Sequence, residues 1–375
     1  MIGEPLPMAY GQLHSGLFRG DWVHRMELYC LGKVPWQDSQ LCYHALAHLG
    51  REALALVSPS SPYVSVGYHQ DARQEVDIEF CRAQGIPIFR REVGGGAVYL
   101  DGNQLFFQVV LRRDSPLVPL AKQAFYRKFL QPVIDVYRRI GISAEYRPIN
   151  DIVAGSKKIS GTGAGEIADC VVFVGNLIVD FDYKTMSRVL KVPDEKFRDR
   201  VQKTIEANLS TIRRELGETE AEQWSESTLN SLMVEEFQKI LGPLQPRSMD
   251  DTLRAKMNEL GDTMTAEAWL CKRRCRPTDG RQMKIRSGVN LVHRIHKAPG
   301  GLIRAVFEVR DDTYQEVSLS GDWFCFPRDA VLSLESRIVG LSPEELRTAL
   351  EKFYGEHRLE TPGITVDDWV TVLKA

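Results

Sequence analysis

The stretch RREVGGGAVYLDGNQLFFQ, Arg90 to Gln108, places three consecutive glycines between two runs that have the composition of β-strands. A β-hairpin needs only two residues for its turn, and each glycine costs backbone entropy when the chain folds. We therefore expect Gly94, Gly95 and Gly96 to do more than reverse the chain. Glycine lets a ligand approach the main chain closely, where free N–H groups can bind an anion. The simpler alternative is a glycine-rich hairpin.

The chain as a whole has the composition of an ordinary globular protein. Of its 375 residues, 43% are hydrophobic and 26% are charged, and the formal net charge is -2. The length favours two domains, and the near-neutral charge argues against binding to nucleic acid or a membrane. No apolar run reaches the ~20 residues of a membrane helix, and the N-terminus does not resemble a signal peptide. Seven scattered cysteines then indicate reduced thiols and a cytoplasmic location.

The order of short strands and amphipathic helices predicts an α+β fold, with a mixed β-sheet flanked by helices. The strand NQLFFQVVLRR is apolar on both faces, which is typical of a central strand. Helical spacing predicts helices in DSQLCYHALAHLGREAL and from Leu117 to Ile140. We expect GPLQPRS, with two prolines and a glycine, to link residues 1–245 to a smaller α+β domain of residues 250–375.

Two other motifs are weaker on inspection. GTGAGE begins at Gly161, but Glu166 stands where the dinucleotide-binding pattern G-x-G-x-x-G needs its third glycine. Cys271 and Cys275 are spaced C-x-x-x-C and lack a second pair of ligands. Two reduced thiols are therefore the simpler interpretation of this pair, and a zinc site is the alternative.

A second segment, NDIVAGSKKISGTGAG from Asn150, combines positive charge with glycine. It places Lys157 and Lys158 on a predicted strand that runs into a glycine-rich turn. A lysine in this position can set its ammonium group against a phosphate or an acyl carbonyl oxygen. A solvated lysine pair is the alternative for this segment alone. The presence of both glycine-rich segments in one sheet favours a ligand site.

The two segments resemble the signature motifs of the lipoate–protein ligase family. RREVGGGAVYLDGN is similar to R-R-x-S-G-G-G-A-V-[YF]-H-D-x-G-N, and NDIVAGSKKISGTG is similar to N-D-[ILV]-…-G-[KR]-K-[IV]-S-G-S. YVSVGYHQD also resembles the family's strand that ends in G-x-x-Q, here Gly67 and Gln70. The likeness runs from Asp38 to Tyr354. It implies a biotin/lipoate ligase-like catalytic domain in residues 1–245 and an accessory domain in residues 250–375.

The resemblance implies ATP-dependent ligation through an acyl-adenylate. The carboxylate of lipoate or octanoate attacks the α-phosphate of ATP, and a lysine amine of a lipoyl carrier domain then attacks the acyl carbonyl. The carrier would be a dehydrogenase-complex acyltransferase subunit or a protein like the glycine-cleavage H protein. Mg²⁺ is expected from the triphosphate chemistry.

The resemblance also assigns roles to individual residues. Lys158 is implied as the catalytic residue, because its charge would stabilise both the acyl carbonyl and the α-phosphate. Asn150 and Asp151 would serve the adenine side or a magnesium ion. The residues implied for ATP are Arg90, Gly95, Gly96, Ala97, Val98, Asn150, Asp151 and Lys158, and those implied for lipoate are Gly67, Gly94, Gly95, Lys158 and Gly161.

The chain departs from the family pattern near the expected acyl pocket. Val93 stands where the motif has serine and Leu100 where it has histidine. Both changes remove polar groups, so we expect an acyl chain that is longer or plainer than lipoate. The basic segment from Cys271 to Arg286 is expected either to be solvated or to steer an acidic carrier domain toward the site.

Two other functions remain open at this point. An ATP-independent octanoyltransferase of the same superfamily would use a nucleophilic cysteine, and Cys170 is the cysteine near the motifs. It lies in the apolar strand CVVFVGNLIV, where cysteine is usually a small buried hydrophobe. A protein that binds an acyl group or adenylate without catalysis is the other possibility. Biotin ligation is disfavoured, because no G-R-G-R-x-G-R loop occurs.

Overall fold

A mixed six-stranded β-sheet, flanked by helices, forms the larger part of the protein and confirms the predicted fold class. The computed structural model describes residues 26–192, 194–273, 283–286 and 289–374. The strands are β1 Met26–Val34, β2 Ala53–Pro59, β3 Tyr63–Val66, β4 Ile88–Arg90, β5 Val98–Leu100, β6 Gln104–Arg112, β7 Ala144–Arg147, β8 Asp151–Ala154, β9 Lys157–Ser160, β10 Thr162–Ile167, β11 Cys170–Ile178, β12 Leu244–Pro246, β13 Met283–Arg286, β14 Val289–Ala298, β15 Gly301–Arg310 and β16 Thr313–Gly321. The helices are α1 Trp36–His48, α2 Ala72–Glu75, α3 Ile78–Ala83, α4 Lys122–Arg139, α5 Tyr183–Val189, α6 Arg198–Asn208, α7 Ile212–Leu216, α8 Glu218–Ala221, α9 Glu226–Leu241, α10 Asp251–Met264, α11 Glu267–Leu270, α12 Ala330–Ile338, α13 Leu346–His357 and α14 Val366–Val372, with a 3-10 turn at Glu195–Phe197.

The main sheet has the strand order β10-β11-β6-β2-β1-β12. β6 lies between β2 and β11 and is antiparallel to both, so the central position predicted for this strand is confirmed. One face packs on α4 and α9, where Phe107 meets Phe173 and Phe237. The opposite face of the sheet packs on α1. Because side chains alternate along a strand, Gln108 points toward α1 when Phe107 points away from it.

The segment GPLQPRS is not a linker. Its residues Leu244–Pro246 form β12, which pairs in parallel with β1 at the edge of the main sheet. An edge strand tolerates prolines because its outer side needs no hydrogen-bond partner, and this is why two prolines misled the prediction. Leu253 and Met257 of α10 belong to the same core as the sheet. The division into residues 1–245 and 250–375 remains a prediction, and this packing favours a boundary further along the chain.

The C-terminal part forms a second core of its own. The antiparallel strands β13 to β16 are covered by α12, α13 and α14 around the buried Trp323 and Trp369. Phe324 and Phe326, which follow β16, pack instead into the first core. Within the ranges described above, no helix is both long and apolar enough to cross a membrane.

Candidate active site

A cavity of about 560 Å³ lies where the glycine-rich loop, the strands β9 and β10, and the C-terminal part meet. Of the eleven residues implied for ATP or lipoate, six line it: Gly95, Gly96, Val98, Asn150, Lys158 and Gly161. The other five do not belong to its lining: Gly67, Arg90, Gly94, Ala97 and Asp151. The two glycine-rich segments are therefore brought together at one cavity, as the sequence predicts. They do not share one sheet, because the glycine loop joins β4 and β5 of the sheet β4-β3-β5, whereas Lys158 lies on β9 of the sheet β7-β8-β9.

Lys158 stands on the cavity wall with its charge held in place. Its Nζ lies 2.7 Å from Oδ1 of Asp151, whose Oδ2 is 2.9 Å from Nη2 of Arg147. Burial alone would raise the pKa of Asp151, but the ion pairs with Lys158 and Arg147 lower it below its usual value. Asp151 therefore stays ionised and positions the lysine. Lys157 does not line the cavity.

The three glycines do not form a hairpin. β4 and β5 lie on opposite sides of β3 and do not pair with each other, so the loop between them crosses the end of β3. A Cβ on Gly67, at the end of β3, would lie 1.9 Å from the carbonyl oxygen of Gly95. A Cβ on Gly94 would lie 2.5 Å from the carbonyl oxygen of Trp323. Two of the family-motif glycines thus serve close contacts within the protein itself.

Arg90 does not fit the predicted role in triphosphate binding. It is fully buried, and its Nη1 donates to the carbonyl oxygens of Gly67, Tyr68 and Gln70 at 2.7 to 2.9 Å. Its Nη2 donates to the carbonyl oxygen of Leu270 at 2.6 Å. Burial lowers the pKa of Arg90 to about 10. The guanidinium therefore makes its hydrogen bonds to main-chain carbonyl oxygens and holds these segments in place.

The neighbouring Arg91, which sequence reasoning passed over, lines the cavity instead. It donates to the carbonyl oxygens of Gly94 at 2.6 Å and Gly96 at 2.9 Å. It therefore fixes the glycine loop from the cavity side. Strand alternation could have indicated that only one arginine of the pair faces the cavity, but not which one.

The C-terminal part closes one side of the cavity. Lys297, Gly300, Asp322 and Phe324 belong to its lining. A Cβ on Gly95 would lie 3.2 Å from the ring of Phe324. No local motif marks these residues in the sequence, because they reach the site only through the packing of one core against the other.

The cysteines give no support to a nucleophilic role. No cysteine of the described residues lines the cavity. Cys170 is buried, and burial raises its pKa to about 11, as expected of an unreactive thiol. Of the pair Cys271 and Cys275, Cys275 lies outside the described residues.

The basic segment contributes no surface charge at Arg273. This side chain is buried and lies 3.1 Å from Glu335, while Nζ of Lys272 donates to the hydroxyl of Tyr68 at 2.8 Å. The steering role is therefore wrong for Arg273, whose charge is neutralised within the fold. Arg274, Arg276 and Arg281 lie outside the described residues, and for Lys284 and Arg286 the structure describes only the backbone of β13.

The described residues contain no cluster of side chains that would hold a metal ion without a bound substrate. No group of three or more histidine, cysteine, aspartate or glutamate side chains among them could hold a metal ion. Both carboxylate oxygens of Asp151 are engaged by Lys158 and Arg147. Asp151 thus fits the role of an ion-pair partner and does not fit that of a metal ligand.

The model of the lipoyl protein ligase A/B catalytic domain matches residues 36–238, which is more than half of the chain. The fold and the lysine-bearing cavity thus define a protein of the biotin and lipoate ligase class, and the chain belongs to the lipoyl protein ligase A/B family.

Curated relatives include both ligases and an acyltransferase. Lipoate-protein ligase A subunit 1 of Thermoplasma acidophilum is 33% identical over 159 residues, which cover 40% of this chain and 59% of that protein. Lipoate–protein ligase 1 of Staphylococcus aureus is 24% identical over 325 residues, 84% of each protein. Octanoyltransferase LipM of Kyrpidia tusciae is 26% identical over 239 residues, 58% of this chain and 85% of that protein.

Solved structures agree on the fold. The bipartite lipoate protein ligase of Thermoplasma acidophilum, studied with its E2 lipoyl domain, superposes with a TM-score of 0.58 at 25% identity, over 68% of this chain and 100% of that one. Lipoate-protein ligase A bound with ATP gives 0.54 at 23% identity, over 66% and 98%. LipL1 of Plasmodium falciparum with lipoate gives 0.67 at 14% identity, over 92% and 97%.

Proposed function

We propose that the protein ligates lipoate, or a related medium-chain acid such as octanoate, to a lysine of a lipoyl carrier domain with ATP as co-substrate. One observation carries the proposal: the cavity presents a positioned lysine, Lys158, and among the described residues it presents no cysteine. The matching relatives that are named lipoate–protein ligases, and the neighbour whose structure contains ATP, support the same reaction.

In the first step, an oxygen of the substrate carboxylate bonds to the α-phosphorus of ATP, and the bond to pyrophosphate breaks. The product is an acyl-adenylate. In the second step, the amine of the carrier lysine bonds to the acyl carbon, AMP leaves with the bonding electron pair, and the amine nitrogen loses a proton. Negative charge grows on oxygen in both steps. A fixed ammonium such as that of Lys158 stabilises this charge without reorganising.

The glycine loop gives the cavity a wall made of main chain. Gly95 and Gly96 line it, and Arg91 clamps their loop by its bonds to two carbonyl oxygens. Asn150 braces the opposite turn, since its Nδ2 donates to the carbonyl oxygen of Thr162 at 2.8 Å. Substrate binding between two braced turns fits a reaction that depends on positioning.

The partner is proposed as a lipoyl domain, as in the archaeal system whose ligase was studied with its E2 lipoyl domain. A protein like the glycine-cleavage H protein is a second candidate carrier.

A second candidate function is ATP-independent octanoyl transfer to the same carriers, which the likeness to octanoyltransferase LipM favours. A thioester mechanism would need a cysteine nucleophile. The burial of Cys170 and the absence of any described cysteine from the cavity lining favour ligation over transfer.

One assay separates the two functions. Purified protein is incubated with a lipoyl domain and either ATP, Mg²⁺ and free acid, or an octanoyl thioester of a carrier protein without ATP. Intact mass of the lipoyl domain then reports acylation, and acid-dependent exchange between ATP and pyrophosphate reports the adenylate. Ligation predicts exchange and acylation in the first mixture, with Cys170→Ser within a few-fold of the unmodified protein. Acylation only from the thioester, lost in Cys170→Ser, would overturn the proposal.

A further inference from the structure

The side chains of β6 line the cavity along its length and show which end lies near Lys158. Gln104, Phe106 and Gln108 alternate along this strand and all three line the cavity. Gln104 lies at the Lys158 end: its Oε1 accepts from Nδ2 of Asn176 at 2.6 Å, and Oδ1 of Asn176 accepts from the N–H of Gly161 at 2.8 Å. Gly161 directly follows β9, the strand of Lys158.

Gln108 lies at the other end. It is four residues further along β6, which at about 3.4 Å per residue separates its Cα from that of Gln104 by about 14 Å. Its Nε2 donates to the carbonyl oxygen of Ser39 on α1 at 2.6 Å. Gln40 and Tyr43 of the same helix also line the cavity, so this end lies against α1.

Gln108 carries a hydrogen-bond acceptor that no described residue uses. The side chain is 2% exposed, and among the residues that the structure describes none donates to its Oε1. The orientation of the amide is fixed by chemistry, because the carbonyl oxygen of Ser39 can only accept and must therefore face the NH₂ group. The oxygen is left buried without a donor, which is unfavourable unless a ligand or water supplies one.

The neighbouring polar groups do not fill this need. Nε2 of Gln40 donates to the hydroxyl of Tyr63 at 2.7 Å, and the hydroxyl of Tyr43 points to Oε1 of Gln40 at 3.4 Å. Because these groups hydrogen-bond to one another, none of them donates to Oε1 of Gln108 at the α1 end.

We propose that Gln108 determines acyl specificity by accepting a hydrogen bond from the distal end of the substrate, and that the acid therefore carries a hydroxyl or thiol group there. This inference rests on the proposed function. A terminal methyl group cannot donate, and neither can a cyclic disulfide, whereas a hydroxyl or a reduced dithiol can. A polar group at the distal end disagrees with the plainer acyl chain that was expected from Val93 and Leu100. Of these two residues, Leu100 lines the cavity and Val93 does not.

The test is direct binding, which does not depend on turnover. Dissociation constants are measured by isothermal titration for octanoate, 8-hydroxyoctanoate, lipoate and reduced lipoate. The proteins are the unmodified chain, Gln108→Met, and Gln131→Met as a control, because Gln131 is an exposed residue on α4. One net hydrogen bond predicts that the unmodified chain binds 8-hydroxyoctanoate about 5- to 10-fold more tightly than octanoate. Gln108→Met should lose this preference and still bind octanoate, while Gln131→Met should keep it.

The comparison of the four acids across the three proteins distinguishes the possible results. A preference for reduced lipoate over lipoate, lost in Gln108→Met, would identify the donor as a thiol, and a preference confined to the hydroxy acid would identify a hydroxyl. Equal binding of octanoate and the donor-bearing acids, or an unchanged preference in Gln108→Met, overturns the role of Gln108 alone. Binding of none of the four acids overturns the proposed function together with it.

Discussion

Replacing Gly67 with alanine tests how tightly the glycine loop is packed. Gly67 has no unusual backbone conformation, so alanine can adopt its dihedral angles without strain. The added Cβ would lie 1.9 Å from the carbonyl oxygen of Gly95 and 2.9 Å from its carbonyl carbon. Both atoms are main chain and cannot rotate away. The loop must therefore move as a body, and with it the Gly95 wall of the cavity.

The size of the effect follows from this geometry. The oxygen of Gly95 must shift by at least 1.1 Å to reach a separation of 3.0 Å, the shortest that a real Cβ shows. A displacement of about 1 Å in a site that depends on positioning can lower the rate about 100-fold. Overpacking of this kind also costs about 1 to 3 kcal/mol of unfolding free energy.

Two measurements check the Gly67→Ala result: acid-dependent exchange between ATP and pyrophosphate, and unfolding by denaturant. The matched control is Gly355→Ala, since a Cβ at this exposed helical glycine meets nothing within 4 Å; it should gain about 0.5 to 1 kcal/mol and keep full activity. Gly67→Ala protein with an unchanged rate and unchanged stability would refute the packing argument.

Three further predictions separate chemical from structural roles. Lys158→Ala should lower acylation of the lipoyl domain by at least 100-fold with little change in unfolding free energy, whereas Lys157→Ala, off the cavity, should stay within a few-fold; equal losses would contradict the assignment. Arg90→Lys should cost roughly 3 kcal/mol of unfolding free energy because buried carbonyl groups lose their donors, and the KM for ATP should not rise; a raised KM at normal stability would restore a role in ATP binding. Burial would raise the pKa of Glu92, but His48 and Arg328 overcome it and lower the pKa to about 2. Because this carboxylate stabilises the fold only while ionised, roughly 3 kcal/mol should be lost as pH falls from 5 toward 2. Denaturant unfolding of Glu92→Gln should show a flatter decline over that range, and an identical decline would exclude the ion pair.

The sequence predicted those parts of the site that are built from contiguous residues. The glycine loop and the segment around Lys158 each bring backbone and charge together within one stretch, so their composition alone marks them. The central position of β6 could be predicted for a similar reason, since a strand that is apolar on both faces must be covered on both.

The errors arose where packing between distant segments decides the outcome. Arg90 and Arg91 are adjacent and chemically identical, and the hydrogen bonds of Arg90 to distant carbonyl groups, such as those of Gly67 and Leu270, distinguish the buried arginine from the one that lines the cavity. Phe324 follows β16 of the second core but packs into the first core, where it lines the cavity. Its position depends on how two cores meet, which leaves no periodic or compositional trace near the residue itself.

The three consecutive glycines differ in what each requires. A side chain on Gly94 would clash with the carbonyl group of Trp323. Gly95 has a positive φ of 90° and lies against Phe324. Gly96 has neither constraint: a Cβ there would meet only Asp322, at an ordinary 3.7 Å. Because Gly96 lines the cavity, a bound ligand is the partner that can demand glycine at this position. Gly96→Ala should therefore leave the unfolding free energy within about 0.5 kcal/mol. It should weaken binding of a non-hydrolysable ATP analogue or of the acid, as isothermal titration would measure. Unchanged affinity for both would mean that the loop serves contacts within the protein alone.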